Sequence, residues 1–169
     1  MKKVAVNDAN ILIDFFEIAL LDELFQLGLE MYTTDLVVAE ITDPVQEKAI
    51  RKLIDSGKMT EQNLGVAQLA AAVAKQAIRP RLSLEDCSAW QLSETLGAIL
   101  LTGDGLLRKT AQEAGIEVHG SLWLLDELLS AALLDEPAAC AKLRELMRAN
   151  RRLPESACRY RLRRWCGNH

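Results

Sequence analysis

The run Ala98-Ile-Leu-Leu-Thr102 is apolar without alternation and only long enough for a strand. A strand with apolar side chains on both faces must be covered on both, which is the condition of a buried strand in a parallel sheet. The rest of the chain supplies its neighbours. Short β-like runs at Lys3–Val6, Met31–Thr33, 58–62 and 116–118 alternate with stretches of helical periodicity. The spacing predicts a helix over 11–27, stopped by Gly28. A second runs from a cap at Thr34 or Asp35 to about Ser56, with Pro44 as a kink or restart. Further helices are expected over 64–77, from Ser83 to Gly97, from Asp104 to Ala114, and over 121–134, 137–150 and 155–165. This alternation predicts an α/β fold: three-layer α/β/α, with a central, mostly parallel sheet of about five strands and extra C-terminal helices. In such sheets ligands collect beyond the carboxyl ends of the strands.

Four acids fall where that rule matters. Asp8 follows the first strand directly, and Asp104 follows the 98–102 strand. If those strands are neighbours, the two carboxylates share a crevice. Glu40 sits inside the apolar LVVAEI segment, and Asp86 lies in the first turn of the helix opened by Ser83. Each has a plain structural alternative. Ser83 and Asp86 have capping-box spacing, Asp8 with Asn10 and Asp104 can cap helices, and Glu40 can face solvent. Taken together, they are placed for one crevice to collect all four. Clustered carboxylates repel, so the cluster is expected to lose charge or bind a cation. Oxygen donors without His or Cys suit Mg²⁺ or Mn²⁺.

Charge sharpens this expectation. The 169 residues carry a net charge of −4, but residues 142–169 hold nine basic and two acidic residues, leaving 1–141 strongly acidic. An acidic body does not attract polyanions by bulk charge, so handling nucleic acid would require a compensating ion. Hydrophobic residues make up 50% of the chain, enough for a substantial core. The longest apolar stretches are interrupted by acids, and the N-terminus lacks the apolar core of a secretory signal. The expectation is a cytoplasmic protein with no membrane partner. The four cysteines show no metal-ligand spacing, and free thiols are expected rather than zinc or disulfides.

The segments VNDANILIDFF, DLVVAEI and LSLEDCSAWQLSETLGAILLTGDGLLRKTAQEAGIEV together resemble the PIN domain family. These are metal-dependent nucleases that include the VapC-type toxins of bacterial toxin–antitoxin pairs. The resemblance implies that Asp8, Glu40, Asp86 and Asp104 are catalytic, with Asp8, Asp86 and Asp104 on the metal and Glu40 orienting or deprotonating the nucleophile. It implies Mg²⁺- or Mn²⁺-dependent endoribonuclease activity on single-stranded RNA, leaving a 5′-phosphate, and an antitoxin as a partner. Asn10 and Thr102 would support the two aspartates. The further acid or Asn that some members carry after the last aspartate is replaced here by Leu106, Leu107 and Arg108. The resemblance covers residues 3 to about 130, which suggests a nuclease domain over 1–134 and a basic helical extension over 135–169. A catalytically inactive PIN-like module that binds nucleic acid or protein is the alternative. A phosphatase on a similar sheet would want D-x-D, and Asp8-Ala-Asn10 lacks the second Asp.

Arg108 and Lys109 lie one helical turn after Asp104, within reach of a substrate phosphate or on a solvated helix face. In CRYRLRRWC (158–166), Arg159, Arg161, Arg163 and Arg164 interleave with Tyr160 and Trp165. That pattern suits single-stranded nucleic acid, and equally suits a terminal helix docked on the acidic body. The first helix is apolar nearly all round. A homodimer, an antitoxin helix or the chain's own later helices would cover it.

Overall fold

The computed structural model describes residues 2–150 and 152–167. Among them run, in order, β1 (Val4–Asn7), α1 (Ala9–Glu17), α2 (Leu21–Leu24), β2 (Glu30–Thr34), α3 (Asp35–Glu40), α4 (Pro44–Asp55) and β3 (Met59–Gln62). There follow α5 (Val66–Ile78), α6 (Leu84–Leu96), β4 (Ile99–Leu101), α7 (Gly105–Glu113), β5 (Val118–His119), α8 (Ser121–Ser130), α9 (Glu136–Ala149) and α10 (Glu155–Trp165). The five strands form one sheet in the order β3-β2-β1-β4-β5, and every pairing is parallel. The expected three-layer α/β/α architecture is therefore present. All three residues of β4 are buried, as its unbroken apolar run requires.

One helical layer is built around α6, which packs on β1, β2 and β4 and is itself covered by α5 and α3. On α1, Ile11, Leu12 and Phe15 are fully buried. The helices that enclose α1 are α2, α3, α4, α8 and α9 of its own chain. Ala139, Leu143, Leu146, Cys158 and Trp165 join the same apolar cluster as the sheet. The last two helices thus share the core of the acid-bearing part.

Two expected helices end earlier than their periodicity suggests. The 11–27 pattern breaks into α1 and α2, and the 121–134 pattern stops at Ser130. At both ends an alanine, Ala19 or Ala132, adopts a left-handed conformation with φ 56°. After α1, the N–H groups of Ala19 and Leu20 donate to the carbonyls of Phe16 and Phe15. Ala132 and Leu133 donate likewise to Leu129 and Leu128. This is a Schellman ending, usually marked by glycine. The stretch from 35 to 56 is two helices. Asp43 accepts from the N–H groups of Val45 and Gln46, and Pro44 opens α4 without a missing donor.

The cysteine expectation is corrected. Cys140 and Cys166 form a disulfide across 26 positions of sequence. A short connection folds α10 back on α9, so the start of one helix meets the end of the other. Spacing alone could not show that, because the pairing depends on where the hairpin turns. Cys87 and Cys158 are buried free thiols. No helix of the described residues is long and apolar enough to cross a membrane.

Candidate active site

From β1 the sheet grows outward through β2 to β3, and then restarts on the other side with β4 and β5. The switch point lies between β1 and β4, where an α/β sheet opens its crevice. Asp8 and Asp104 flank it from the two strand ends. The N–H of Asp8 donates to the carbonyl of Leu101 at 2.9 Å, so Asp8 begins where the pairing of β1 with β4 ends.

Asp8 is only 2% exposed. Its Oδ1 accepts from the N–H of Ala9 at 2.9 Å, and its Oδ2 accepts from the Thr102 hydroxyl at 2.8 Å and from Asn10 Nδ2 at 3.0 Å. Asn10 Oδ1 accepts from the N–H of Gly103 at 2.7 Å, and Thr102 Oγ1 from that of Asp104 at 3.1 Å. Asn10 and Thr102 thereby stitch the loop after β1 to the loop after β4. Asp104 completes the loop by accepting from the N–H of Leu107 through Oδ1 and capping α7.

The other two acids arrive on helices that are joined to each other. Thr34 caps α3, accepting from the N–H of Val37, and its Oγ1 lies 2.8 Å from Ser88 Oγ on α6. Asp86 and Ser83 form the expected capping box at the start of α6. Capping and convergence are not exclusive, because Asp86 also feels Asp104 and Glu85. Burial first, and then those two charges, hold its carboxyl above the usual range against the hydrogen bonds from Ser83. Glu40 closes α3 at the rim and is exposed as a residue. Desolvation of its carboxyl, with repulsion from Asp8, Glu85 and Asp86, raises its pKa to about 7. Because the residue is exposed overall, the acid neighbours are the firmer cause. Burial pushes Asp8 up to about 6, helped by Asp86 and Asp104 and opposed by its hydrogen bonds.

The expected acids therefore share one electrostatic neighbourhood, and none of them forms an ion pair with a described Lys, Arg or His. Among the described residues no group of three or more His, Cys, Asp or Glu side chains stands ready-made to hold a metal ion. The aspartates are partly turned to their caps. The donor chemistry still suits a hard cation. It is oxygen-only, uncompensated by cations, and Asp86 Oδ1 and Asp104 Oδ2 accept no hydrogen bond from described residues.

Two participants escaped the sequence reading. Glu85 adds its charge to the crevice beside Asp86 and reads in sequence as an ordinary first-turn acid. Asp14 is buried in α1 and accepts from Ser121 Oγ at 2.9 Å and Asn150 Nδ2 at 3.0 Å, fastening α1 to α8 and to the end of α9.

The cationic candidates divide. Arg108 turns back toward β4, donating from Nη2 to the carbonyl of Thr102 at 3.3 Å. Lys109 is exposed on α7. Arg161 makes a two-pronged ion pair with Asp126 on α8. Arg159 pairs with Glu155, Arg164 lies over the Tyr160 ring, and Arg163 is exposed. With Cys158 and Trp165 buried, α10 is docked on the body through one face and keeps arginines on the other.

A family model described as a PIN domain (DUF3368) matches residues 4–166. The chain belongs to the PIN-domain family. The match runs through α9 and α10, so the PIN model spans all fifteen elements of the fold. PIN domains are commonly nucleases and usually use divalent metals, which agrees with an acid crevice at the switch point. A crystal structure of PAE2754 from Pyrobaculum aerophilum is similar at 18% identity, with a TM-score of 0.48, over 79% of this chain and 100% of that one. No curated protein matches the sequence.

Proposed function

We propose that this PIN domain is a Mg²⁺- or Mn²⁺-dependent endoribonuclease that hydrolyses phosphodiester bonds in single-stranded RNA. The observation that supports it best is the convergence of acids from β1, α3, α6 and the start of α7 with no cationic partner. Asp8, Asp86 and Asp104 would hold the ion. A hard divalent cation there supplies charge neutralisation at the phosphoryl oxygens and activation of water.

The chain's own groups do the rest. Thr102 and Asn10 fix Asp8 by donating to its Oδ2, and Thr102 also holds the backbone of Asp104. Glu40, at the end of α3 on the rim of the crevice, would orient or deprotonate the attacking water. We further propose that the protein acts as the toxin of a toxin–antitoxin pair.

Cleavage of a labelled single-stranded RNA by purified protein tests the enzyme reading. Asp8→Asn and Asp104→Asn are expected to abolish Mg²⁺-dependent cleavage. Unchanged cleavage in both would trace the activity to a contaminant and end the reading. Growth arrest on expression, relieved by the same substitutions, supports a toxin, and healthy growth opposes it. The second reading, a non-catalytic binding module, is favoured by one observation: the aspartates are already engaged as helix caps. Failure to bind Mn²⁺ at millimolar concentration would decide for it.

A further inference from the structure

Beside the acid crevice, at the carboxyl ends of β4 and β5, lies a cavity of about 390 Å³. Asp104 forms part of one wall. Other parts of the lining come from His119–Trp123 and from the connection between α9 and α10. Its chemistry is the reverse of the crevice. Arg108 lines it, with one guanidinium nitrogen on the carbonyl of Thr102 and no carboxylate partner among the described residues. Gly120 makes room for that guanidinium: a Cβ at this position would collide with Arg108 Nη2. Arg152 lines the same cavity and an adjoining one that reaches Asn10 and Asp14. Its backbone is held by Asn150, whose Oδ1 accepts its N–H at 2.9 Å.

The wall also carries aromatic surface. The rings of His119 and Trp123 are stacked, with centroids 4.0 Å apart and planes 11° from parallel. Glu117 holds His119 through Nε2. Arg161 borders the cavity too, but its charge is committed to Asp126, where it braces α10 against α8.

We infer that this cavity seats one nucleotide of single-stranded RNA, with its base against the His119–Trp123 pair and its phosphate at Arg108 and Arg152. The inference rests on the nuclease reading, because it places the strand's flanking nucleotide next to the acids that would cut it. The physical need is clear: an acid crevice repels a polyanion, and adjacent arginines offset that repulsion. The aromatic pair adds a π-face that any base can use, which is how single strands are held without sequence readout. The volume lies within the range of small-ligand sites, enough for a single nucleotide.

Fluorescein-labelled octauridylate, titrated with the full chain in EDTA and followed by anisotropy, tests the cavity without metal or cleavage. Trp123→Ala and Arg108→Ala are each expected to weaken binding about tenfold, Trp123→Phe to retain most of it, and Gly120→Ala to weaken it by displacing Arg108. Arg51→Ala, whose partner Glu61 is on the opposite sheet edge, is expected to bind like wild type. Thermal melts identify variants that fail to fold. No binding by wild type, or folded Trp123→Ala and Arg108→Ala binding within twofold of it, would overturn the inference. Trp123-dependent binding without cleavage in Mg²⁺ would instead keep the seat and remove the nuclease reading.

Discussion

Replacing Asp8 by Asn is expected to stabilise the metal-free protein at alkaline pH. The carboxyl is 2% exposed, and burial with repulsion from Asp86 and Asp104 moves its pKa from 3.8 to about 6. A folded-state pKa above the unfolded one means that the folded state binds the proton more tightly. Ionisation therefore costs nothing below the unfolded pKa. The cost grows as pH rises between the two values and is complete above the folded one, at about 3 kcal/mol. Asn at this position carries no charge. It can still accept from Ala9, but an amide nitrogen in place of Oδ2 leaves the Thr102 hydroxyl without its acceptor and Asn10 Nδ2 with only Thr102 Oγ1 at 3.5 Å, at about 1 kcal/mol each. The net gain is about 1 kcal/mol, or about 3 °C in Tm for a chain of this size. Thermal unfolding followed by circular dichroism in EDTA, at about pH 8 and about pH 4, measures it. The gain should disappear or reverse at the lower pH. An Asp8→Asn variant less stable than wild type at the higher pH, or shifted equally at both, would refute the argument that this carboxylate is held against its own ionisation.

Mn²⁺ should raise the Tm of wild type, by about 2.7 kcal/mol of added stability at a hundredfold excess over Kd, and Asp104→Asn should lose most of that rise in a thermal-shift assay. Thr102→Val removes both the donor to Asp8 and the acceptor for Asp104 N–H, and should cost about 2 kcal/mol in urea unfolding while lowering cleavage. Cys140→Ser with Cys166→Ser should lower stability by about 3 kcal/mol, and alkylation mapping of the wild type should show both thiols blocked until reduction. Ala19→Gly relieves a left-handed alanine and should leave the melting temperature unchanged or raise it by a few degrees, whereas the same change in a helix interior lowers it.

The centre of the sheet was legible because β1 and β4 are short apolar runs bounded by turn signals, whereas β3, Met-Thr-Glu-Gln at the edge, buries only Met59 and carries a weaker signal. Glycine did much of the punctuation: Gly97, at φ 60°, ends α6 immediately before β4. Where alanine takes the same left-handed role, at Ala19 and Ala132, nothing in the residue type announces the stop, and periodicity runs on past the true end. The acids were legible for a related reason. Asp8 and Asp104 are tied to strand ends, and parallel topology converts strand ends into a place. Glu85, Asp14 and the Cys140–Cys166 bridge were not, because each depends on how helices pack rather than on any local pattern. The capping alternatives for Asp86 and Asp104 turned out to be real and compatible with convergence, since a cap engages one oxygen and leaves the other.

The proposed chemistry requires that carboxylates distant in sequence jointly hold one hard cation at the junction of β1 and β4. Anomalous diffraction from a crystal soaked in Mn²⁺ tests it without reference to any substrate. A single strong peak is expected in direct contact with carboxylate oxygens of Asp8 and Asp104, and is expected to be lost in Asp8→Asn. Strong Mn²⁺ peaks elsewhere on the surface, with none between those two residues, would contradict it.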